Sequence, residues 1–137
     1  MDLAIEALGI VTKGLHAKTI THICYGDFNL IGPKLSKLPV DQIDLEFANR
    51  NFELLEIFKK GRFAKEVGLG VVDVHSHRIE GVDEVVANIR RSLKVFKPEQ
   101  IYVDPDCGLK TRTPAEAKEK LRVVVEAARC VREEILN

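Results

Sequence analysis

Thr21-His22-Ile23-Cys24-Tyr25-Gly26-Asp27 is the stretch from which the fold can be read. His22 and Cys24 are two residues apart in a β-rich run, Lys18 to Tyr25, so their side chains point to one side of a strand. An imidazole and a thiol side by side at a strand end form half of a zinc site. The other half has to come from elsewhere. The chain offers Cys107, in Asp104-Pro105-Asp106-Cys107-Gly108-Leu109-Lys110-Thr111-Arg112. The fold is expected to bring these two strand ends together.

Outward from that stretch, strands and helices alternate. Met1 to Lys13 reads as a helix with Leu3, Ala7, Leu8 and Val11 inward and Gly14 as a stop. After the first strand, Phe28 to Pro39 is a loop with room for a short helix. Gln42 to Phe47 alternates strictly and predicts a second strand, and Asn51 to Lys60 a helix with Phe52, Leu55 and Phe58 inward. Leu69 to His75 predicts a third strand and Val82 to Phe96 a helix carrying Val86, Ile89, Leu93 and Phe96. A fourth strand follows at Gln100 to Asp104. The last helix runs from Thr113 to Leu136, with Thr-Pro-Ala-Glu as its capping start and Leu121, Val124, Ala128, Val131 and Ile135 as its buried stripe. Four strands and five helices in βα order imply an α/β fold with a parallel sheet and right-handed crossovers, half of an eight-stranded (βα)8 TIM barrel. A small open sheet, with edges in need of cover, fits the same order. With no low-complexity linker or charge block, residues 1–137 read as a single domain.

Composition narrows the class. Acidic and basic residues balance at 21 each, so no field points to nucleic acid or an anionic membrane surface. No apolar run spans a bilayer, and Met1 to Gly14 lacks a basic signal-peptide start, so a cytoplasmic location is expected. Three cysteines, 24, 107 and 130, suggest thiols or metal ligands in place of a disulfide framework.

The reactive side chains fall at one edge. His22 and Cys24 close the first strand, Glu46 lies near the end of the second, His75 ends the third and Cys107 follows the fourth. In parallel α/β folds the ligand site lies at that C-terminal edge. Each residue alone has a plainer reading: a packed polar pair for His22 and Cys24, a solvent-facing Glu46, a buried turn thiol for Cys107, helix-capping roles for Asp104 and Asp106. Their shared location favours a site. Cys130, beside Ala127, Ala128 and Val131, reads as a core thiol. One His, two Cys and one Glu suit tetrahedral Zn²⁺. A coordinated thiol is deprotonated, and an incoming sulfur ligand can displace the harder carboxylate of Glu46.

The runs Thr-His-Ile-Cys-Tyr-Gly-Asp-Phe at 21–28, Asp-Val-His-Ser at 73–76 and Asp-Pro-Asp-Cys-Gly-Leu-Lys-Thr-Arg at 104–112 resemble the catalytic C-terminal domain of cobalamin-independent methionine synthase, over nearly the whole chain. The resemblance implies a (βα)8 barrel with zinc held by His22, Cys24, Glu46 and Cys107, and proton donation by His75. It implies methyl transfer to the sulfur of homocysteine from methyltetrahydrofolate or, in relatives, another donor such as a corrinoid. His77 stands where the family usually has Pro. The match begins just before the fifth barrel strand, so the expected molecule is a zinc-bearing half-barrel, completed by a separately encoded N-terminal half or by self-association. Two other readings are a half-barrel that binds zinc without turnover alone and a thiol-activating methyltransferase of the coenzyme M type. Open sheet edges and an apolar concave face, with Ile20 and Val71 or Val72 in need of cover, are expected on either route.

Overall fold

The computed structural model describes residues 1–59 and 63–137. Among them, nine α-helices and β-strands follow in order, with short 3-10 turns at Ala48–Arg50 and Pro98–Gln100: α1 (Asp2–Thr12), β1 (Ile20–Ile23), α2 (Phe28–Leu35), β2 (Gln42–Leu45), α3 (Leu55–Lys59), β3 (Glu66–Gly70), α4 (Val82–Ser92), β4 (Ile101–Asp104) and α5 (Pro114–Leu136). The strands pair in parallel in the order β1-β2-β3-β4. Sequential parallel neighbours, each followed by a helix, are the arrangement of four consecutive units of a (βα)8 barrel.

Strand alternation separates two faces. Ile43, Leu45, Val67 and Leu69 are buried toward the helices, in one cluster with Val85, Val86 and Ile89 of α4 and Val123, Val124, Ala127 and Val131 of α5. Phe47, Phe58, Phe63 and Phe96 extend that core, with neighbouring ring centroids 4.9 to 6.4 Å apart. The other face carries Gln42, Asp44, Glu46, Gly68, Gly70, Tyr102 and Asp104. That face is polar, which corrects the expected apolar concavity. Val71 and Val72 are already fully buried, and Ile20, 53% exposed, stands alone. Two glycines on β3 make room for the carboxylates. A Cβ at Gly68 would lie 2.0 Å from Asp44 Oδ1, and one at Gly70 would lie 2.2 Å from Asp106 Oδ1.

Several boundaries differ from the sequence reading, each for a local reason. The third strand lies earlier, at Glu66–Gly70, so His75 sits in the following loop and does not end the strand. There Asp73 Oδ1 accepts the His75 N–H, a side-chain bond that replaces a sheet ladder. The helix expected at Asn51 to Lys60 is short because Asn51 and Phe52 adopt left-handed φ values of 49° and 59°; Lys60 falls outside the described residues. Helix α4 ends at Ser92, although Phe96 is buried as expected. In α1, Leu3 and Val11 are exposed, and Met1, Ile5 and Leu8 pack against the core. The buried stripe of α5 is Lys120, Val123, Val124, Ala127 and Val131, while Leu121 and Ile135 face out. The Thr113–Glu116 capping box forms as read. Cys130 packs partly buried against the core.

The close approach at Gly70 gives a direct test. Gly70→Ala places a methyl group 2.8 Å from both the Leu45 carbonyl and Asp106 Cα, backbone atoms that cannot swing aside. It should destabilise the chain by about 1–3 kcal/mol or more in urea unfolding. Gly9→Ala, within α1 and with its nearest contact at 3.8 Å, should be neutral or stabilising by up to about 1 kcal/mol. Equal effects of the two substitutions would refute the packing argument.

Candidate metal centre

His22 belongs to β1, Cys24 follows it directly, and Cys107 lies in the loop after β4. Their ligand atoms all lie within 4.8 Å of one another. Strands β1 and β4 are the outermost pair of the sheet, three spacings apart, which in a flat sheet is about 14 Å. Sheet curvature and the reach of the β4 loop together close that gap. These are the strand ends that the sequence expects the fold to bring together.

Glu46, the fourth expected ligand, is not gathered into that trio, although it is near enough for its charge to act on Cys24, and it is fully buried. Its Oε1 accepts the Tyr25 N–H at 3.0 Å and its Oε2 accepts Asn49 Nδ2 at 2.6 Å. Burial pushes the Cys24 thiol above its ordinary range, and the Cys107 thiol and the Glu46 carboxylate push it further. Nitrogen, sulfur and oxygen donors in this set fit zinc.

His75 is exposed, and the Tyr25 hydroxyl holds its ring, 2.5 Å from Nε2 and 3.1 Å from Nδ1. The two ring centroids are 5.3 Å apart. Tyr25 therefore touches Glu46 through its backbone and His75 through its side chain. It does so from a left-handed conformation, φ 56°, that only specific contacts sustain in a residue other than glycine. Sequence reasoning missed this role, although Tyr25 lies within the quoted stretch. His77, of unassigned role, lies away from the trio and pairs with Glu116 at 2.8 Å on the first turn of α5.

Asp106 was read as a candidate cap for the segment after it. It does cap backbone, but in another unit. Its Oδ1 accepts Phe47 N at 3.0 Å and Ala48 N at 2.9 Å, and its Oδ2 accepts Asn49 N at 2.7 Å. Burial still lifts its carboxyl to about 6. Asp104, deep on the polar face, is lifted to about 8 by burial and then by the charges of Asp44 and Asp106. Its Oδ1 is a buried acceptor with no hydrogen-bond partner.

Comparison with known proteins gives a consistent match. A family model described as "Cobalamin-independent synthase, Catalytic domain" covers residues 1–130. A methionine synthase of Saccharolobus islandicus is 44% identical over 131 residues, 96% of this chain and 40% of that protein. One from Sulfurisphaera tokodaii is 44% identical over 137 residues, again 40% of its length. The structure of a B12-independent methionine synthase from Shewanella sp. W3-18-1 in complex with selenomethionine superposes with a TM-score of 0.87 at 30% identity, over 98% of this chain and 44% of that one. The chain thus spans about 40% of the length of the curated relatives it matches. No described helix is long and apolar enough to cross a membrane.

The buried carboxyls predict a pH dependence. Both folded values, about 8 for Asp104 and about 6 for Asp106, lie above the roughly 3.9 of an unfolded aspartate. The folded chain therefore holds protons that the unfolded chain releases. That contribution to stability is complete below about pH 4 and is lost as pH rises through the two folded values. For the metal-free chain, Asp104→Asn should flatten the fall in unfolding free energy between about pH 6 and pH 8. Denaturant unfolding across that range measures it, and an unchanged slope would count against a protonated Asp104.

Proposed function

The chain belongs to the cobalamin-independent synthase catalytic-domain family, and on that premise we propose that it is the zinc- and thiol-binding half of a methionine synthase that moves a methyl group to the sulfur of homocysteine. The convergence of His22, Cys24 and Cys107 from the two outermost strands carries this reading. The selenomethionine of the Shewanella complex, a relative of the expected product, supports it.

In this reading His22, Cys24 and Cys107 hold zinc, and Glu46 supplies an oxygen donor. Zinc, when bound, supplies the positive charge that keeps an entering thiol deprotonated at neutral pH. Tyr25 N–H and Asn49 Nδ2 hold the Glu46 carboxylate, and they would remain its partners were a substrate sulfur to take its place at the metal. His75, steadied by Tyr25, holds and delivers a proton beside the reacting groups. The methyl donor is methyltetrahydrofolate or another carrier such as a corrinoid, received by a part of the barrel outside this half.

The polar face favours a chain that works in assembly with a second half, and methyl transfer is to be read on that assembly. Among the described residues, none donates to the buried acceptors Gln42 Oε1 and Asp104 Oδ1, and no strand pairs with the outer edges of β1 and β4. An apolar cleft of about 330 Å³ flanks β4, lined by Ile89, Ile101, Val103, Val131 and Ile135. A complementary half-barrel would pair both edges and bring donors to the polar face. A second copy, related by a two-fold axis, would pair the edges alone.

Elemental analysis of the purified chain is expected to give about one zinc per chain. Cys107→Ser should lose most of it and Glu46→Gln only a little. His75→Ala should keep it and lower methyl transfer by roughly 10²–10⁴. Full zinc retention in Cys107→Ser would sink the proposed ligand set, and zinc loss in His75→Ala would make that residue a ligand. Sedimentation at micromolar concentration should show self-association or capture of an added N-terminal half. A sharply unfolding monomer that ignores the added half would refute the open-edge reading.

A further inference from the structure

Lys120 is fully buried on the inner face of α5, in line with Val123, Val124 and Ala127, and takes no part in the metal centre. Its ammonium donates to Glu80 Oε2 at 2.8 Å and to the Arg78 carbonyl at 2.5 Å. Glu80 is almost as deeply buried, and its Oε1 accepts the Asp73 N–H at 2.9 Å. Asp73 Oδ1 in turn accepts the His75 N–H at 2.8 Å. An unbroken series of hydrogen bonds therefore runs from the middle of α5, through the β3–α4 loop, to the backbone of His75.

Stability is a poor explanation for the buried pair. Taking an ammonium and a carboxylate out of water is costly, and well-packed apolar side chains of the same volume hold a fold at least as well. The pair supplies direction instead. Lys120 grips the loop at positions 78 and 80, and Glu80 reaches back across it to position 73. The loop is thus closed on itself and fastened to a helix that the rest of the core holds rigid. Without Lys120, Glu80 is an uncompensated buried carboxylate. It would turn toward water and take the acceptor away from Asp73.

We propose that Lys120 is a positioning residue, which through Glu80 and Asp73 sets the place of His75 against Tyr25 and the metal centre. The consequence for catalysis rests on the role given to His75 above; the positioning itself does not.

The test uses the full, zinc-loaded chain. Lys120→Met is the direct variant. Lys120→Met/Glu80→Gln leaves no buried charge and keeps an amide oxygen for Asp73, so it guards against misfolding of the single variant. Both are expected to bind zinc as the parent does. Both variants remove the bonds that tie the loop to α5, so the His75 N–H bond to Asp73 should open more often and its amide exchange roughly fivefold faster, the weight of one hydrogen bond lost from that anchor. The His75 imidazole resonances should shift while those of His22 stay in place. Unchanged His75 exchange and resonances in a folded variant would overturn the proposal, as would equal shifts at His22 and His75. Failure of both variants to fold would show the pair to be a stability element and would overturn it too. Turnover of His75→Ala tests the catalytic reading separately, so the two ideas fail on different measurements.

Discussion

The Asp106 carboxylate lies over Gly70 and accepts the N–H groups of Phe47, Ala48 and Asn49, and the metal centre depends on that contact. Asp106 immediately precedes Cys107, and Phe47 immediately follows Glu46. One side chain thus fixes the thiol from the last strand against the carboxylate from the second, across the intervening third strand. Of the three backbone donors at the end of β2, Phe47 N–H is buried and would cost about 1–3 kcal/mol without its partner. Only a residue without a side chain at position 70 allows the approach.

Much of this was legible in the chain. His22, Cys24 and Cys107 come together as the strand-end argument required, and the alternation of strands and helices gave four parallel strands in sequential order. Periodicity cannot show contacts between residues far apart in sequence. Asp106 looked like a cap for its neighbours because caps are usually local; its partners are more than fifty residues away. Lysine is usually exposed, so residue type hid the burial of Lys120, although it falls on the same helical face as Val123, Val124 and Ala127. One sequence signal was available: Gly68 and Gly70, two residues apart on a strand, marked a face where something else had to approach.

The two faces of the sheet divide the tasks of the chain. Toward the helices, aliphatic and aromatic side chains form a continuous core that owes nothing to the site. On the other face, Asp44, Asp104 and Asp106 crowd near one another, and burial drives Asp104 and Asp106 toward protonation. Such a face lowers stability on its own. It is tolerable because the hydrophobic face holds the strands in register independently.

That division explains why the loop carrying His75 needs its own anchor. Val71 and Val72 still bond to the β4 side, through Val71 N–H to the Asp104 carbonyl and Asp106 N–H to the Val72 carbonyl, but from Asp73 to Gly81 neither ladder nor helix fixes the chain. His75 is exposed, and its ring contact with Tyr25 joins one loop to another. The Tyr25 loop is tied to the end of β2 through the Glu46 carboxylate. The Lys120–Glu80 pair ties the His75 loop to α5, which a capping box and a buried stripe support. The metal centre is held in a corresponding way, by Asp106 from the sheet side. Buried carboxylates thus anchor the two loops that meet at the site, one through backbone N–H groups and the other through an ammonium.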